Sequence, residues 1–250
     1  MIHPFLEALA IPDQCVLNKP IFKKLFYDNG DLDLSSKKTL KEDIDKIKWL
    51  YTLKPATVNI NPYRDAEREY DEIAYLQIDL NNATRLQKIA TFINKAIPYP
   101  LLILFAFDDK LSIAIADKRI NQADKSKWVL EDIWITDWFN PSAPNEFQAQ
   151  FMQDMAMKNL SFMNFYALYM DIRNRVIALN AASRSGRYQL ESFEKTETRR
   201  QSLSRIVELE REITELRSAL KKETQFNKKL DFNVTVKKCQ ETIKQLESEL

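Results

Sequence analysis

The chain has 250 residues, 45% of them hydrophobic and 11% aromatic, with 37 Lys and Arg against 36 Asp and Glu. That is enough apolar material for a sizeable core in one or two domains, and the charge balance gives no general pull toward nucleic acid or anionic membrane. Two glycines and one histidine exclude most catalytic equipment that a sequence can reveal: Gly30 and Gly186 cannot build a phosphate-cradling loop, and His3 alone supports neither a histidine-based triad nor a histidine-rich metal site.

The first thirty residues, with Pro4, Pro12, Pro20 and an Asp28-Asn29-Gly30 turn, read as irregular segments around a short element at 21–26. From Ser35 or Ser36 as N-cap, Leu40, Ile44, Ile47 and Leu50 or Tyr51 recur at helical spacing, which predicts one amphipathic helix ending at Lys54-Pro55. Residues 56–60 (ATVNI) and 72–80 (EIAYLQIDL) read as strands, with the charged stretch 61–71 as a loop or hairpin arm. Thr84 is expected to cap a helix carrying Leu86, Ile89, Ala90, Ile93 and Ile97 as far as Pro98. Residues 101–107 and 111–116 flank Asp108-Asp109-Lys110 as a hairpin would, and 128–139 reads as a third strand. The order predicts an α+β fold: a mixed or antiparallel sheet with helices packed on one face.

Residues 147–179 read as two helices, the second capped by Ser161, and their methionine and aromatic stripe as core. Ser, Arg, Gln and Thr then dominate, which divides the chain into an α+β body (1–182), a basic linker (183–205) and a C-terminal α-helical arm (206–250). In the arm Ile206, Leu209, Ile213, Leu216 and Leu220 step by 3, 4, 3 and 4 residues, and Phe232, Val236, Cys239, Ile243, Leu246 and Leu250 by 4, 3, 4, 3 and 4 in a different register. This is a coiled-coil type of seam, broken at 223–231, where a turn would fold the two halves into a hairpin. Helices of two to three heptads are marginal alone, so the arm must pack on its own domain or hold another chain. On the second reading Ile206, Leu209, Ile213, Leu216, Leu220, Phe232, Val236, Ile243 and Leu246 are the partner interface.

Two constellations bear on chemistry. Asp108 and Lys110 form Asp-x-Lys, with Asp79 upstream as a second acid that could share a magnesium ion, the equipment of a restriction-type nuclease; their place on a tight hairpin also fits ordinary turn chemistry. Arg184, Arg187, Arg199 and Arg200, with Arg173, Arg175 and Arg205 nearby and Tyr188 and Phe193 interleaved, suit phosphate contact and base stacking. Glu191, Glu194 and Glu197 dilute that charge, as on a solvated linker. Cys15 and Cys239 suggest neither a disulfide framework nor a metal knuckle. With no basic region leading into an apolar stretch at the amino terminus, and no apolar run longer than 101–107, a cytoplasmic protein without a membrane span is expected.

Several segments in order resemble the prokaryotic family catalogued as domain of unknown function 4391. They are Asn18-Lys19-Pro20 with Lys23-Lys24 and Phe26-Tyr27, Ile47-Lys48-Trp49 leading into Leu53-Lys54-Pro55-Ala56-Thr57-Val58-Asn59-Ile60, Ile97-Pro98-Tyr99, Thr136-Asp137-Trp138, and an arm containing Gln225-Phe226-Asn227-Lys228-Lys229. The resemblance spans nearly the whole chain and implies an α+β body with a helical tail, in genes lying among helicases and DNA methyltransferases of restriction or phage-defence islands. It points to Asn18, Lys19, Lys24, Lys54, Thr57, Asn59 and Asp137 as a polar site, though turn and cap chemistry would also use these residue types.

The resulting expectation is a non-enzymatic accessory subunit of a DNA-directed defence or restriction-modification system, which binds a helicase or methyltransferase and leaves DNA and a second copy of the chain open as further partners. No cofactor is expected. The alternatives are a divergent nuclease, the only reading that needs magnesium, and a homodimeric scaffold.

Overall fold

The computed structural model describes residues 2–29, 32–124, 128–191 and 193–250, so the turn expected at Asp28-Asn29-Gly30 ends outside the described residues. The chain divides into two units, residues 1–176 and 177–250. In chain order the first unit runs α1 (His3–Leu9), β1 (Val16–Ile21), α2 (Lys23–Asn29), α3 (Leu34–Glu42), β2 (Ile44–Leu53), α4 (Pro55–Val58), β3 (Tyr63–Arg64), β4 (Glu69–Tyr70) and β5 (Ile73–Leu80). It continues with α5 (Leu86–Ala96), β6 (Leu101–Phe107), β7 (Lys110–Ile120), β8 (Trp128–Ile135) and α6 (Glu146–Asp154). The division falls inside α7 (Phe165–Ser185).

Six strands form one sheet in the order β1-β2-β5-β6-β7-β8, with β3 and β4 as a separate hairpin. Every neighbouring pair in the sheet is antiparallel except β5 and β6, which run parallel because α5 carries the chain back between them. The architecture is α+β with a mixed sheet. Ala74, Leu76, Ile78, Leu101, Ile103 and Phe105 on one face pack with Leu40 of α3 and Ile89, Ala90 and Ile93 of α5. The alternate residues Leu102, Leu104, Ile113 and Ile115 are fully buried as well, so both faces of the central strands are covered rather than one. Tyr169 of α7 meets the sheet directly: its hydroxyl donates toward Leu101 O (3.0 Å) and Ala116 O (2.8 Å) and accepts the Ala116 N–H (3.3 Å). The β6–β7 ladder ends at Leu102 and Ile115, so this phenol stands where the next rung would be.

Several sequence expectations are corrected. The single helix expected from Ser35 to Lys54 is two elements: α3 stops at Glu42, and residues 44–53 are strand β2. The N-cap is Asp33, whose carboxylate accepts the Ser36 N–H at 2.6 Å; hydrogen bonds from the Ser36 side chain and then from its N–H lower the Asp33 pKa. The helical spacing of Ile44, Ile47 and Leu50 has a physical origin in the strand. The register shift between Ile44 and Lys46 places two β2 steps opposite one step of β5, so Ile44 and Ile47 reach the same core cluster three residues apart instead of two; Leu50 lies at the second shift, between Trp49 and Tyr51, and is buried as well. Residues 56–60, expected as a strand, form one helical turn and its exit: Pro55 opens α4, the Lys54 N–H donates to Thr57 Oγ1 (2.9 Å), and Asn59 leaves in the left-handed region at φ 53°.

The irregular first thirty residues contain α1, β1 and α2. Thr84 does not cap α5; its N–H donates to Asn82 in a local turn, and Arg85 precedes the helix and reaches Asp43 (Nη2 to Oδ1 2.6 Å), which is 1% exposed. Nor does Ser161 cap α7; Asn164 accepts the Ala167 N–H at 2.8 Å. The hairpin around 108–110 and the strand at 72–80 stand as expected. Among the described residues, no helix is long and apolar enough to cross a membrane.

The second unit contains the end of α7, α8 (Phe193–Lys222) and α9 (Phe226–Ser248). Helix therefore occupies most of the stretch expected as linker. Gly186 closes α7 at φ 75°, a conformation that favours glycine. The three residues between α8 and α9 form a turn, Glu223 accepting the N–H groups of Thr224 and Gln225 at 2.8 Å each, and the two helices pack together as a hairpin.

Candidate functional site

The acidic motif lies at one end of the sheet. Asp79, next to the last residue of β5, pairs through its backbone with Lys46 and with Ala106, and its carboxylate accepts from Gln77 Nε2 at 2.5 Å. Asp108 turns the β6–β7 hairpin with φ 50°, Asp109 accepts from Asn140 Nδ2 at 2.6 Å, and Lys110 is exposed opposite Phe107. Asp108 and Asp109 thus serve the turn and the loop beside it. Among the described residues no three His, Cys, Asp or Glu side chains come together in a way that could hold a metal ion.

The polar residues singled out by family resemblance have local backbone duties. Asn18 adopts φ 45° where the β1–β2 register shifts between Val16 and Lys19, and Lys19 and Lys24 are exposed on β1 and α2. Lys54, Thr57 and Asn59 are brought together by the α4 turn; Lys54 also reaches Glu72 (3.4 Å), and Thr57 O accepts from Gln14. Asp137 is exposed just after β8.

Most of the basic group is neutralised inside the fold. Arg184 pairs with Glu210 (3.0 Å) and Glu247 (3.1 Å); Arg199 donates to the carbonyls of Gln189 (2.7 Å) and Leu250 (3.0 Å) and lies 3.6 Å from Glu191; Arg200 is held by Glu197 at 2.5 Å. Arg187 is exposed, and the side chain of Phe193 lies outside the described residues. Arg173 and Arg175 are buried: Arg173 meets Asp117 at 2.7 Å, and Arg175 donates to the carbonyls of Asp154, Asp171 and Asn159 at 2.8–3.0 Å. Guanidinium groups so engaged have little left to offer a phosphate.

Sequence reasoning missed a buried polar row on β7. Burial pushes the Asp117 carboxyl up against the opposing pull of Arg173. Lys118, 3% exposed, donates to the carbonyls of Ile97 and Tyr99 at 2.7 Å each, so it closes the end of α5, and burial holds its ammonium well below the usual lysine range. An alternating strand pattern gives no warning of a lysine turned inward.

The hairpin arm is the remaining candidate. Leu209, Ile213, Val236 and Cys239 form its buried seam, joined by the partly buried Leu216, Ile243 and Leu246. Ile206 is fully buried, whereas Leu220 and Phe232 are half-buried. The predicted interface residues therefore largely face each other within the chain. Other apolar side chains of the arm stay in water: Phe226 (76% exposed), Leu230 (54%) and Val234 (47%) rise along α9 four residues apart. A groove of about 500 Å³ runs beside the seam, with Ile213 and Ile243 among its lining residues.

A family model described as Domain of unknown function (DUF4391) matches residues 9–243. Neither a curated protein nor a solved structure matches the chain.

Proposed function

The chain belongs to the DUF4391 family, and on that premise we propose that it is a cytoplasmic, non-enzymatic accessory subunit of a DNA-directed defence or restriction-modification system, holding a helicase or DNA methyltransferase through its α8–α9 hairpin. One observation carries the reading. The hairpin satisfies its own seam and still presents Phe226, Leu230 and Val234 to water on successive turns. An exposed apolar stripe rimmed by polar residues is what a protein-binding helix displays. The acidic corner supports the same reading, because Asp108 and Asp109 serve a turn.

The test is affinity purification of the tagged full chain from its native host after nuclease digestion, beside a chain truncated after Arg205. A helicase or methyltransferase that co-purifies with the full chain and is lost on truncation is the expected result. Turnover of DNA, RNA or nucleotide by the purified protein, abolished by Asp108→Asn or Lys110→Ala, would overturn the proposal.

A further inference from the structure

The open face of the hairpin has a sequence pattern of its own. Along α9, Phe226, Leu230, Asn233, Lys237, Gln240 and Lys244 step by 4, 3, 4, 3 and 4 residues, a second ladder offset from the seam residues Val236, Cys239 and Ile243. Along α8, Glu210, Thr214, Arg217 and Lys221 step by 4, 3 and 4. At about 100° per residue each ladder is one stripe of its helix. Gln240 and Lys244 from the first, and Glu210, Thr214 and Arg217 from the second, line the same groove, so these parts of the two stripes are its banks with Ile213 and Ile243 between them, and Phe226, Leu230, Lys237 and Lys221 carry the stripes on beyond it toward the turn.

Charge along these banks is one-sided. Glu210 and Glu247 at one end are already neutralised by Arg184, in the last turn of α7. Arg217, Lys221, Lys237 and Lys244 make no ion pair among the described residues. The face thus offers an apolar anchor at the hairpin tip, Phe226 and Leu230, an apolar floor farther down, and four unmatched cations.

We infer that this groove receives an acidic amphipathic helix of the partner protein, its apolar stripe against Phe226, Leu230 and the Ile213–Ile243 floor and its carboxylates against Arg217, Lys221, Lys237 and Lys244. The inference rests on the partner-binding reading above and specifies its chemistry. From Phe226 to Lys244 the α9 stripe covers 19 residues, or about 27 Å over 18 steps of 1.5 Å, which suits a helix of roughly five turns. A second copy of the chain fits worse, because a two-fold contact would set the same four cations against themselves. Nucleic acid fits worse as well, because phosphates would leave the apolar floor unused.

The probe is a fluorescent 20-residue helical peptide with leucines at alternating three- and four-residue spacing and flanking glutamates, beside a peptide in which every glutamate is lysine. The full chain is titrated with each by anisotropy. Arg217→Glu with Lys244→Glu forms one variant and Phe226→Ala with Leu230→Ala another, and circular dichroism checks that both keep their helix content. The acidic peptide is expected to bind the native chain and the lysine peptide not. The charge variant should lose the acidic peptide by about ten-fold or more and gain the lysine peptide, an exchange that mere loss of structure cannot produce. The alanine variant should weaken the acidic peptide.

Equal binding of the two peptides, no binding of the acidic one, or no response to the charge variant would overturn the inference. So would a doubled mass in solution that Phe226→Ala with Leu230→Ala abolishes, which gives the face to a second copy. Binding of a 20-nucleotide DNA in preference to the peptide, lost in the charge variant, would overturn it in favour of nucleic acid. A native partner lost on truncation but retained by both variants would remove this groove and leave the accessory-subunit reading standing. Absence of any truncation-sensitive partner would remove that reading instead.

Discussion

Replacing Tyr169 by Phe removes one oxygen atom from a site that solvent does not reach. The hydroxyl is fully buried, accepts the Ala116 N–H and donates toward Leu101 O and Ala116 O, so it completes the β6–β7 ladder with a side chain. The same burial drives its pKa up, since a phenolate there would have neither solvent nor a net excess of donors. Without the oxygen, Ala116 keeps a buried donor unpaired, at roughly 1–3 kcal/mol, and the donated bond is lost at about 0.5–1.5 kcal/mol. The sum is about 1.5–4.5 kcal/mol. For a unit of 176 residues the unfolding entropy is about 0.37 kcal/mol per kelvin at roughly 2.1 cal/mol/K per residue, which converts that loss to a Tm lower by about 4–12 °C. Thermal unfolding followed by circular dichroism reads this directly. Tyr27→Phe is the control, because that hydroxyl donates to Lys37 O at 3.2 Å on exposed ground. A Tyr169→Phe change within about 1 °C of the native protein would refute the idea that a phenol serves as the missing rung.

Further outcomes follow from the same geometry. Arg173→Met strands the buried Asp117 carboxylate and should cost about 3–5 kcal/mol in urea unfolding, whereas Arg173→Met with Asp117→Leu should recover much of it. Lys118 is protonated more readily unfolded than folded, since its folded pKa is lowered; native stability should therefore rise with pH from that lowered value toward the free-lysine 10.5, and Lys118→Met should flatten that rise in pH-dependent unfolding curves. Gly186→Ala places a Cβ at φ 75° and should lower stability by about 1 kcal/mol in a thermal melt, with no steric clash to add to it.

What the sequence revealed and what it hid can be traced to single residues. The hairpin about Asp108 and the α8–α9 pair were legible because tight turns and three-four ladders are local patterns. Strand β2 was not, since one bulge set Ile44 and Ile47 three apart on one face and the buried Leu50 fell in a second, which together mimic helical spacing; only pairing with β5, a partner in sequence some thirty residues away, separates the two readings. Residues 56–60 carry β-branched side chains, yet Pro55 and the Thr57 hydroxyl bend them into a turn first. At the candidate sites, the acids, asparagines and arginines were found as residue types while their use was not. Asp109 is spent on Asn140, Arg184 on two glutamates and Asn59 on a left-handed exit, all long-range or conformational facts. The stripe from Phe226 to Lys244 was open to the same periodicity argument that found the seam, but its alternation of apolar and basic residues disguised it.

The first strand of the sheet has a bearing on crowding. β1 is an edge strand, nearly all of it in water, and an unguarded edge is a template on which another chain's strand can be laid. Here the template is spoiled twice within three residues: Asn18 kinks the backbone into the left-handed region, and Pro20 has no N–H to give. Lys19 adds a charge between them. A visiting strand meets a broken row of donors, so concentrating this protein in a cell or a tube gives the β1 edge little chance to seed cross-β aggregates.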